Sequence, residues 1–275
     1  MTTLRFTGER PVPGITPDTV FWPAVARYLF AADLLKPWRP ARVLDVGCGT
    51  GIGSGFLAAA GHRVTGVEVD EAVVEWGRSR RFADDLDLVA GRGERLAFPE
   101  RSFDCVIAFE SVEHMDAPVD FLREARRVLR PGGLFLCSVP HCLNDVLNET
   151  ITETNRYHVQ RFTAHSLRHF LSLELERRGE WCQAPRRVAY FHRLLSSWLF
   201  WEFVGRHPAL EKMARTLQRL RAAPRRAPAV TATAQDDYGR WTIDALPPDD
   251  RLVPLSSIGR RVPETLVFLA AAKVQ

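Results

Sequence analysis

The chain has 275 residues, which is enough for one large α/β domain with an insertion. A hydrophobic content of 46% with 25% charged residues is ordinary for a soluble globular protein, and a net charge of +4 does not by itself indicate nucleic-acid binding. No stretch approaches 18 apolar residues, so we expect no membrane-spanning helix.

The spacing of the cysteines and the composition of the N-terminus both bear on where the protein is located in the cell. The five cysteines are scattered without a CxxC pair, and three of them lie in apolar, strand-like runs, so we expect them to be reduced and buried. The N-terminus shows no charged-then-apolar signal pattern. These features predict a cytoplasmic location.

The first 40 residues differ in composition from the rest of the chain. Residues 1–20 contain RFTGERPVPG, rich in Gly and Pro, which predicts an extended arm. The apolar pattern over Phe21–Leu35 predicts a helix that ends before Pro37. We therefore divide the chain into an N-terminal arm with a capping helix (1–40) and a larger domain (41–275).

The stretch RVLDVGCGTGIGSGFLAAAGHRVTGVEVD predicts one βαβ unit. It divides into a strand, a glycine turn, a helix and a second strand, at Arg42–Val46, Gly47–Gly51, Ile52–Ala60 and Val64–Val69. Glycines let a ligand approach main-chain N–H groups, and an acid at the end of the second strand, Glu68, can accept hydrogen bonds from ribose hydroxyls. The unit is therefore expected to bind an adenosine-type ligand.

The remaining elements continue the alternation of strands and helices. Further strands are predicted at Asp87–Ala90, Phe103–Phe109, Leu134–Val139, Leu173–Cys182 and Thr265–Ala271, and helices at Glu71–Arg81, Asp120–Leu129 and Thr163–Leu171, with a turn at Arg130–Gly133. One or two amphipathic helices over Phe191–Leu220 suggest an insertion spanning about 190–260. The pattern predicts an α/β fold: a Rossmann-like, doubly wound seven-stranded sheet whose strand 7 is antiparallel, with an N-terminal arm and a helical insertion.

The motif DVGCGTG, followed about 20 residues later by Glu68, resembles motif I of class I S-adenosylmethionine (SAM) methyltransferases, and the domain is similar to the methyltransferase type 11 group. The segment RVLRPGGLF resembles another hallmark of that family. The resemblance implies SAM as cofactor, held by Asp45, Gly47, Cys48, Gly49, Gly51, Glu68, Val69, Gly93, Glu94 and Phe109. Where the family commonly has an acid that contacts the adenine amino group, this chain has Arg92.

A second cluster lies directly after the fourth strand. Glu110, Glu113 and His114 would face one way if a helical turn begins at Ser111. The E-x-x-E-H pattern resembles the metal motif of ubiquinone-biosynthesis O-methyltransferases and of small-RNA terminal 2′-O-methyltransferases, and that resemblance implies His158 as a fourth ligand for Mg²⁺ or Mn²⁺. Glu113, His114 and His158 are the candidate catalytic residues. A metal-free histidine base and a purely structural helix turn remain open.

These features favour O-methylation of a hydroxyl on a sugar-containing or other small-molecule biosynthetic precursor. The arm and the segment around His158 also resemble methyltransferases of glycan gene clusters. Three alternatives remain: N-methylation of an amine or amino sugar with a histidine base, RNA 2′-O-methylation, and a non-catalytic SAM-binding partner protein. The basic run Arg215–Arg226 would serve RNA but is more typical of a solvated helix face, and the aromatic run Trp198–Phe203 suits a core, a lid or a homodimer contact.

Overall fold

The computed structural model describes residues 11, 16, 18–142, 158–183, 251–258 and 265–273. Most of the predicted N-terminal arm lies outside these residues, as do the predicted helices over Phe191–Leu220, with the aromatic run Trp198–Phe203, and the basic run Arg215–Arg226. The division of the chain at residue 40 stays a prediction.

Helices and strands alternate along most of the described chain. The helices are α1 (Asp18–Leu35), α2 (Ile52–Ala59), α3 (Glu71–Arg80), α4 (Pro118–Val128) and α5 (Ala164–Ser172). The strands are β1 (Arg42–Val46), β2 (Arg63–Glu68), β3 (Leu86–Ala90), β4 (Phe103–Phe109), β5 (Leu129–Pro140), β6 (Leu175–Gln183), β7 (Leu252–Pro254) and β8 (Thr265–Ala272). Short 3₁₀ turns cover Lys36–Trp38, Val112–His114 and Leu255–Ile258.

The strands form a single sheet in the order β3-β2-β1-β4-β5-β8-β6-β7. The pairs among β1 to β5 are parallel, whereas β8 runs antiparallel between β5 and β6. Alternate residues of β1 show how both faces are covered: Val43 packs in the cluster that contains α1 and α2, and Leu44 packs in the cluster that contains α4 and α5. The predicted doubly wound fold with an antiparallel Thr265–Ala271 strand is confirmed.

The strand count differs from the prediction. The sheet has eight strands in the described residues, because β7 pairs with the end of β6. This strand of three residues lies in the interval predicted as a helical insertion. It is too short to show the alternation of apolar and polar residues by which a strand is found from sequence.

The predicted turn at Arg130–Gly133 is part of β5. The ladder pairs Phe103 with Leu129 and then shifts register, so that Cys105 pairs with Leu134. Gly132 has a φ of +72°, which a residue with a side chain rarely adopts. The glycine pair therefore forms a bulge within the strand and returns the chain onto the sheet directly after α4.

The cysteines are free and mostly buried in the structure. All five cysteines are free, and four of them are buried: Cys48, Cys105, Cys137 and Cys182. Burial raises the pKa of the Cys105 and Cys137 thiols, and raises that of Cys182 to about 11, so these thiols stay protonated.

Of the helices in the described part of the chain, none combines the length and apolar character that crossing a membrane requires.

Candidate active site

A cavity of about 680 Å³ opens at the carboxyl edge of the parallel strands. It is bounded by α1, the turn after β1, the end of β2, the loop after β3, and the turn after β4. The arm also reaches it, because Pro11 is among the lining residues. Its size is within the range of small-molecule sites, and its position is where open α/β sheets bind ligands.

The glycine turn after β1 closes tightly onto two neighbours. The N–H groups of Gly47 and Cys48 donate to the carbonyl of Val67, at 2.8 and 3.1 Å. Gly47 has a φ of +75°, and a Cβ built there would lie 2.5 Å from the Cβ of Ser111. Only glycine fits between β1 and the turn after β4, so this position is fixed by packing as well as by conformation.

Glu68 ends β2 and is 6% exposed. Its Oε2 accepts a hydrogen bond from the Gly49 N–H at 3.0 Å, and its Oε1 accepts one from the Asp70 N–H at 3.2 Å. Each carboxylate oxygen can accept more than one hydrogen bond. Both oxygens are therefore held in place and still able to accept from a pair of ligand hydroxyls.

Asp45 was predicted to contact the cofactor, but it does not line the cavity. It is fully buried in β1, and the Ser54 hydroxyl donates to its Oδ2 at 2.6 Å. Burial raises the pKa of Asp45 to about 6, although the Ser54 hydrogen bond opposes this shift. The carboxyl group lies behind the glycine turn, so it can influence a ligand there by its charge.

Gly51 also does not line the cavity. It precedes α2 with a φ of +82°, and a Cβ there would approach the Leu88 side chain to 2.7 Å. Its role in the described residues is packing between the turn and β3. The other predicted cofactor residues do line the cavity: Gly47, Cys48, Gly49, Glu68, Val69, Gly93, Glu94 and Phe109.

Arg27 of α1 lines the cavity and was missed by the sequence analysis. It is 7% exposed, and its Nη1 donates to the Gln183 side-chain oxygen at 2.7 Å. Its Nε is buried without a hydrogen-bond partner in the described residues. In the part of the chain that the structure describes, the partner of Arg27 is thus a neutral amide. Burial of a cation beside a neutral partner is costly, and an anionic ligand group would offset that cost.

The loop after β3 carries the residue that departs from the family pattern. Arg92 lies 3.5 Å from carboxylate oxygens of both Glu94 and Asp116. Gly93 packs under Met115, because a Cβ there would lie 3.0 Å from the Met115 methyl group. The loop is thereby attached to the chain just beyond the turn after β4, and the carboxylate of Glu94 remains on the cavity wall.

Three of the four predicted metal ligands meet at the cavity wall. Glu113, His114 and His158 each offer a donor atom, and these atoms all lie within 4.8 Å of one another. The centroids of the two imidazole rings are 4.9 Å apart, and the ring planes are inclined at 66° to each other. Glu113 is 1% exposed, and its backbone carbonyl accepts from the Gln160 N–H at 2.9 Å, which draws the His158 segment onto the turn.

The same segment is fixed from its other side. Thr163 caps α5, because its hydroxyl accepts from the Ser166 N–H at 3.0 Å in a reciprocal capping box. His158 is therefore held between the turn after β4 and the start of α5.

Glu110 is not a member of this group of three. The predicted helical turn is a 3₁₀ turn that begins only at Val112, and Glu110 precedes it with a φ of +48°. The i, i+3, i+4 spacing therefore does not apply to it. Its Oε1 accepts from the Ser138 hydroxyl at 2.8 Å, so its carboxylate is engaged with β5, although it still lines the cavity.

Comparisons with known proteins agree with this geometry. The family model described as "Methyltransferase domain" matches residues 44–137. A probable S-adenosylmethionine-dependent methyltransferase of Mycolicibacterium smegmatis is 34% identical over 169 residues, covering 61% of this chain and 63% of the relative. Residues 44–137 therefore match a methyltransferase domain, and the chain, with its glycine turn and Glu68, is similar to SAM-dependent methyltransferases, whose methyl donor is SAM.

Other relatives differ in what their names say about substrate. A ubiquinone biosynthesis O-methyltransferase of Roseobacter denitrificans is 34% identical over 105 residues, covering 38% of this chain and 42% of the relative. A Thermotoga maritima structure described as a possible histamine N-methyltransferase has the same fold, with a TM-score of 0.56 at 17% identity, and covers 92% of this chain and 93% of its own. The chain spans less than two thirds of the length of its first curated relatives, 63% and 58%.

Proposed function

We propose that the chain binds SAM in the cavity and transfers its methyl group to a hydroxyl oxygen of a small-molecule or sugar-containing biosynthetic precursor. One observation carries the proposal. The glycine turn and Glu68 line the same cavity as Glu113, His114 and His158. A cofactor and an acceptor bound together there would be neighbours.

The residues around the glycine turn offer a partner for each part of SAM. Glu68 accepts from the two ribose hydroxyls, and Gly47 and Gly49 leave room for the ligand along the turn. Asp45 attracts the ammonium group through its charge behind the turn, and Arg27 binds the carboxylate. Gly93 and Glu94 contact the adenine, since Arg92 occupies the usual position of an acid.

Methyl transfer is an in-line displacement. A lone pair of the acceptor oxygen forms a bond to the methyl carbon while the carbon–sulfur bond breaks, and S-adenosylhomocysteine leaves as a neutral thioether. The hydroxyl proton passes to an imidazole nitrogen of His114 or His158. Most of the rate enhancement then comes from alignment of the two reactants, and proton transfer adds about 10²- to 10⁴-fold.

The same residues also fit a divalent cation. One carboxylate and two imidazoles within 4.8 Å of one another suit Mn²⁺ better than Mg²⁺, because Mg²⁺ prefers oxygen ligands. When bound, the ion would lower the pKa of an acceptor hydroxyl and favour a vicinal diol. Glu113, His114 and His158 would hold it.

Binding is tested first. SAM at 100 times its Kd should raise the free energy of unfolding by about 2.7 kcal/mol, which thermal unfolding would register as a higher Tm. The absence of a shift across a wide concentration range would contradict the cofactor assignment. A wild type that transfers the labelled methyl group, with a Glu113→Ala protein that still binds SAM but loses this turnover, would exclude the non-catalytic partner.

The acceptor is tested with methyl-labelled SAM on a panel of diols, sugars, primary amines and RNA. Transfer to hydroxyls of small molecules supports the proposal, whereas transfer only to amines or to RNA would overturn it in favour of those substrates. Loss of turnover with EDTA that Mn²⁺ or Mg²⁺ restores would assign the three donors to a metal. Turnover unchanged by EDTA would leave them as a histidine base and its neighbours.

A further inference from the structure

Gln183, at the end of β6, contacts α1 and is 3% exposed. Its Nε2 donates to the carbonyl oxygen of Pro23 at 2.9 Å, and its Oε1 accepts from the Nη1 of Arg27 at 2.7 Å. Gln183 and Arg27 are 156 positions apart in the chain. A part of the sheet remote from the cofactor motifs therefore contacts a residue of the cavity wall.

These two partners fix the orientation of the Gln183 amide. The Pro23 carbonyl can only accept, so the NH₂ group of the amide must face it. The amide oxygen is then left for Arg27, which lies about one helical turn after Pro23. Gln183 thus spans one turn of α1 and presents its acceptor to the guanidinium from a defined direction.

The charge of the partner matters as much as its position. A guanidinium has five N–H donors on a long side chain with many rotamers, and the amide oxygen fixes one end of it. Because the amide is neutral, the positive charge of Arg27 is not cancelled. A carboxylate at position 183 would form an ion pair with Arg27 and compete with any anion in the cavity.

We propose that Gln183 is a positioning residue that orients Arg27 toward the carboxylate in the methionine part of SAM. The inference rests on the proposed function, which assigns the cavity to SAM and Arg27 to that carboxylate. Gln183 acts through Arg27 and does not itself contact the reacting atoms.

Decarboxylated SAM separates this role from a structural one. It keeps the adenosine, sulfonium and ammonium groups and lacks only the carboxylate. Calorimetric titration of the full chain with both ligands gives the ratio of the two affinities. We expect the wild type to favour SAM by at least about tenfold, as a charge-assisted hydrogen-bond pair would provide.

Two substitutions of Gln183 then have different signatures. Gln183→Met removes the acceptor at similar volume and should weaken SAM about tenfold while leaving decarboxylated SAM within about twofold. Gln183→Glu keeps the shape and adds a competing charge, so it should weaken SAM further without weakening decarboxylated SAM. If the Met variant does not fold, the Glu variant gives the same comparison.

Three further variants complete the experiment. Arg27→Met should abolish the preference for SAM, and adding Gln183→Met to it should cause no further loss, because the two residues act in series. Thr265→Val is the matched control, since Thr265 pairs with Gln183 in the β6–β8 ladder and is buried. It should keep the wild-type affinity ratio.

The outcomes are distinguishable from failure of the proposed function. A wild type that binds neither ligand contradicts SAM binding itself. A wild type that binds both equally, a Gln183→Met ratio equal to that of the wild type, or equal weakening of both ligands would each overturn the positioning role.

Discussion

At the scale of single residues, Asp45 places an ionisable carboxyl group in a fully buried position. Its pKa of about 6 lies above the ordinary value of 3.8, so the folded state binds the proton more tightly than the unfolded state does. The contribution of this group to the free energy of unfolding is therefore most favourable at low pH and falls as pH rises from about 4 to about 6. The full cost of ionisation is about 3 kcal/mol.

Asp45→Asn should remove that dependence. Relative to the wild type, the unliganded variant should gain about 1–2 kcal/mol in free energy of unfolding between pH 5 and pH 7.5, because only the wild type must ionise a buried carboxyl group. Urea denaturation at several pH values measures the difference. A difference that stays constant with pH would show that Asp45 has an ordinary pKa.

The proposed function assigns the ribose hydroxyls of SAM to the carboxylate of Glu68. Glu68→Gln should weaken SAM about 10- to 100-fold, because it removes the charge and one of the two acceptor oxygens facing the ribose. The matched control is Glu71→Gln, at the exposed start of α3, which should bind SAM as the wild type does. Calorimetric titration of both variants decides the matter, and equal affinities would contradict the ribose assignment.

At the scale of elements, the turn after β1 and the turn after β4 form one packed unit at Gly47 and Ser111. Gly47→Ala should lower the free energy of unfolding by about 1–3 kcal/mol, since it combines a positive φ with a close contact to Ser111. It should also weaken SAM.

A second substitution separates these two causes. Ser111→Gly removes the Cβ that the new methyl group would meet, so the double variant should recover part of the lost stability and leave the strain of the positive φ. Urea denaturation of the two single variants and the double variant measures the coupling. No recovery would show that packing between the turns is not the cause.

The elements also show what could be predicted from sequence. The βαβ unit was predicted to within a residue or two because its signals are local: a buried strand, a run of glycines and an acid at a strand end. Glu110 was placed wrongly, since the helical spacing on which its placement rested presumes ordinary backbone angles and its φ is +48°. The residue types around Glu110 do not predict a positive φ at this position.

Arg27 and Gln183 were missed for a different reason. The two residues are 156 positions apart in the chain, and a single sequence carries no pattern that predicts a contact between residues so far apart. A local hint existed, because Arg27 is the only charged residue between Asp18 and Asp33 in an apolar helix. A lone cation on such a face is either paired by a distant residue or exposed to a ligand.

At the scale of the whole molecule, residues far apart in the chain line one cavity, from Pro11 of the arm to His158. SAM binding should therefore slow amide hydrogen exchange in α1, in the loop after β3 and in the turn after β4 together. Helix α5 does not line the cavity and should exchange at an unchanged rate. Mass spectrometry of peptides covering these segments tests it, and slowing confined to the glycine turn would contradict a shared site.

The sheet can be completed only late in translation, because β8 is the last strand in the chain and lies inside the sheet. Because β8 lies between β5 and β6, the ribosome must make residues 184–264 after β6 before the strand that joins β6 to the sheet exists. Until then β5 has an unpaired apolar edge, and Gln183 has no fixed position from which to hold Arg27. The nascent chain can assemble its glycine turn early, but it needs protection of that edge from aggregation, and complete cofactor recognition comes only with the late strand.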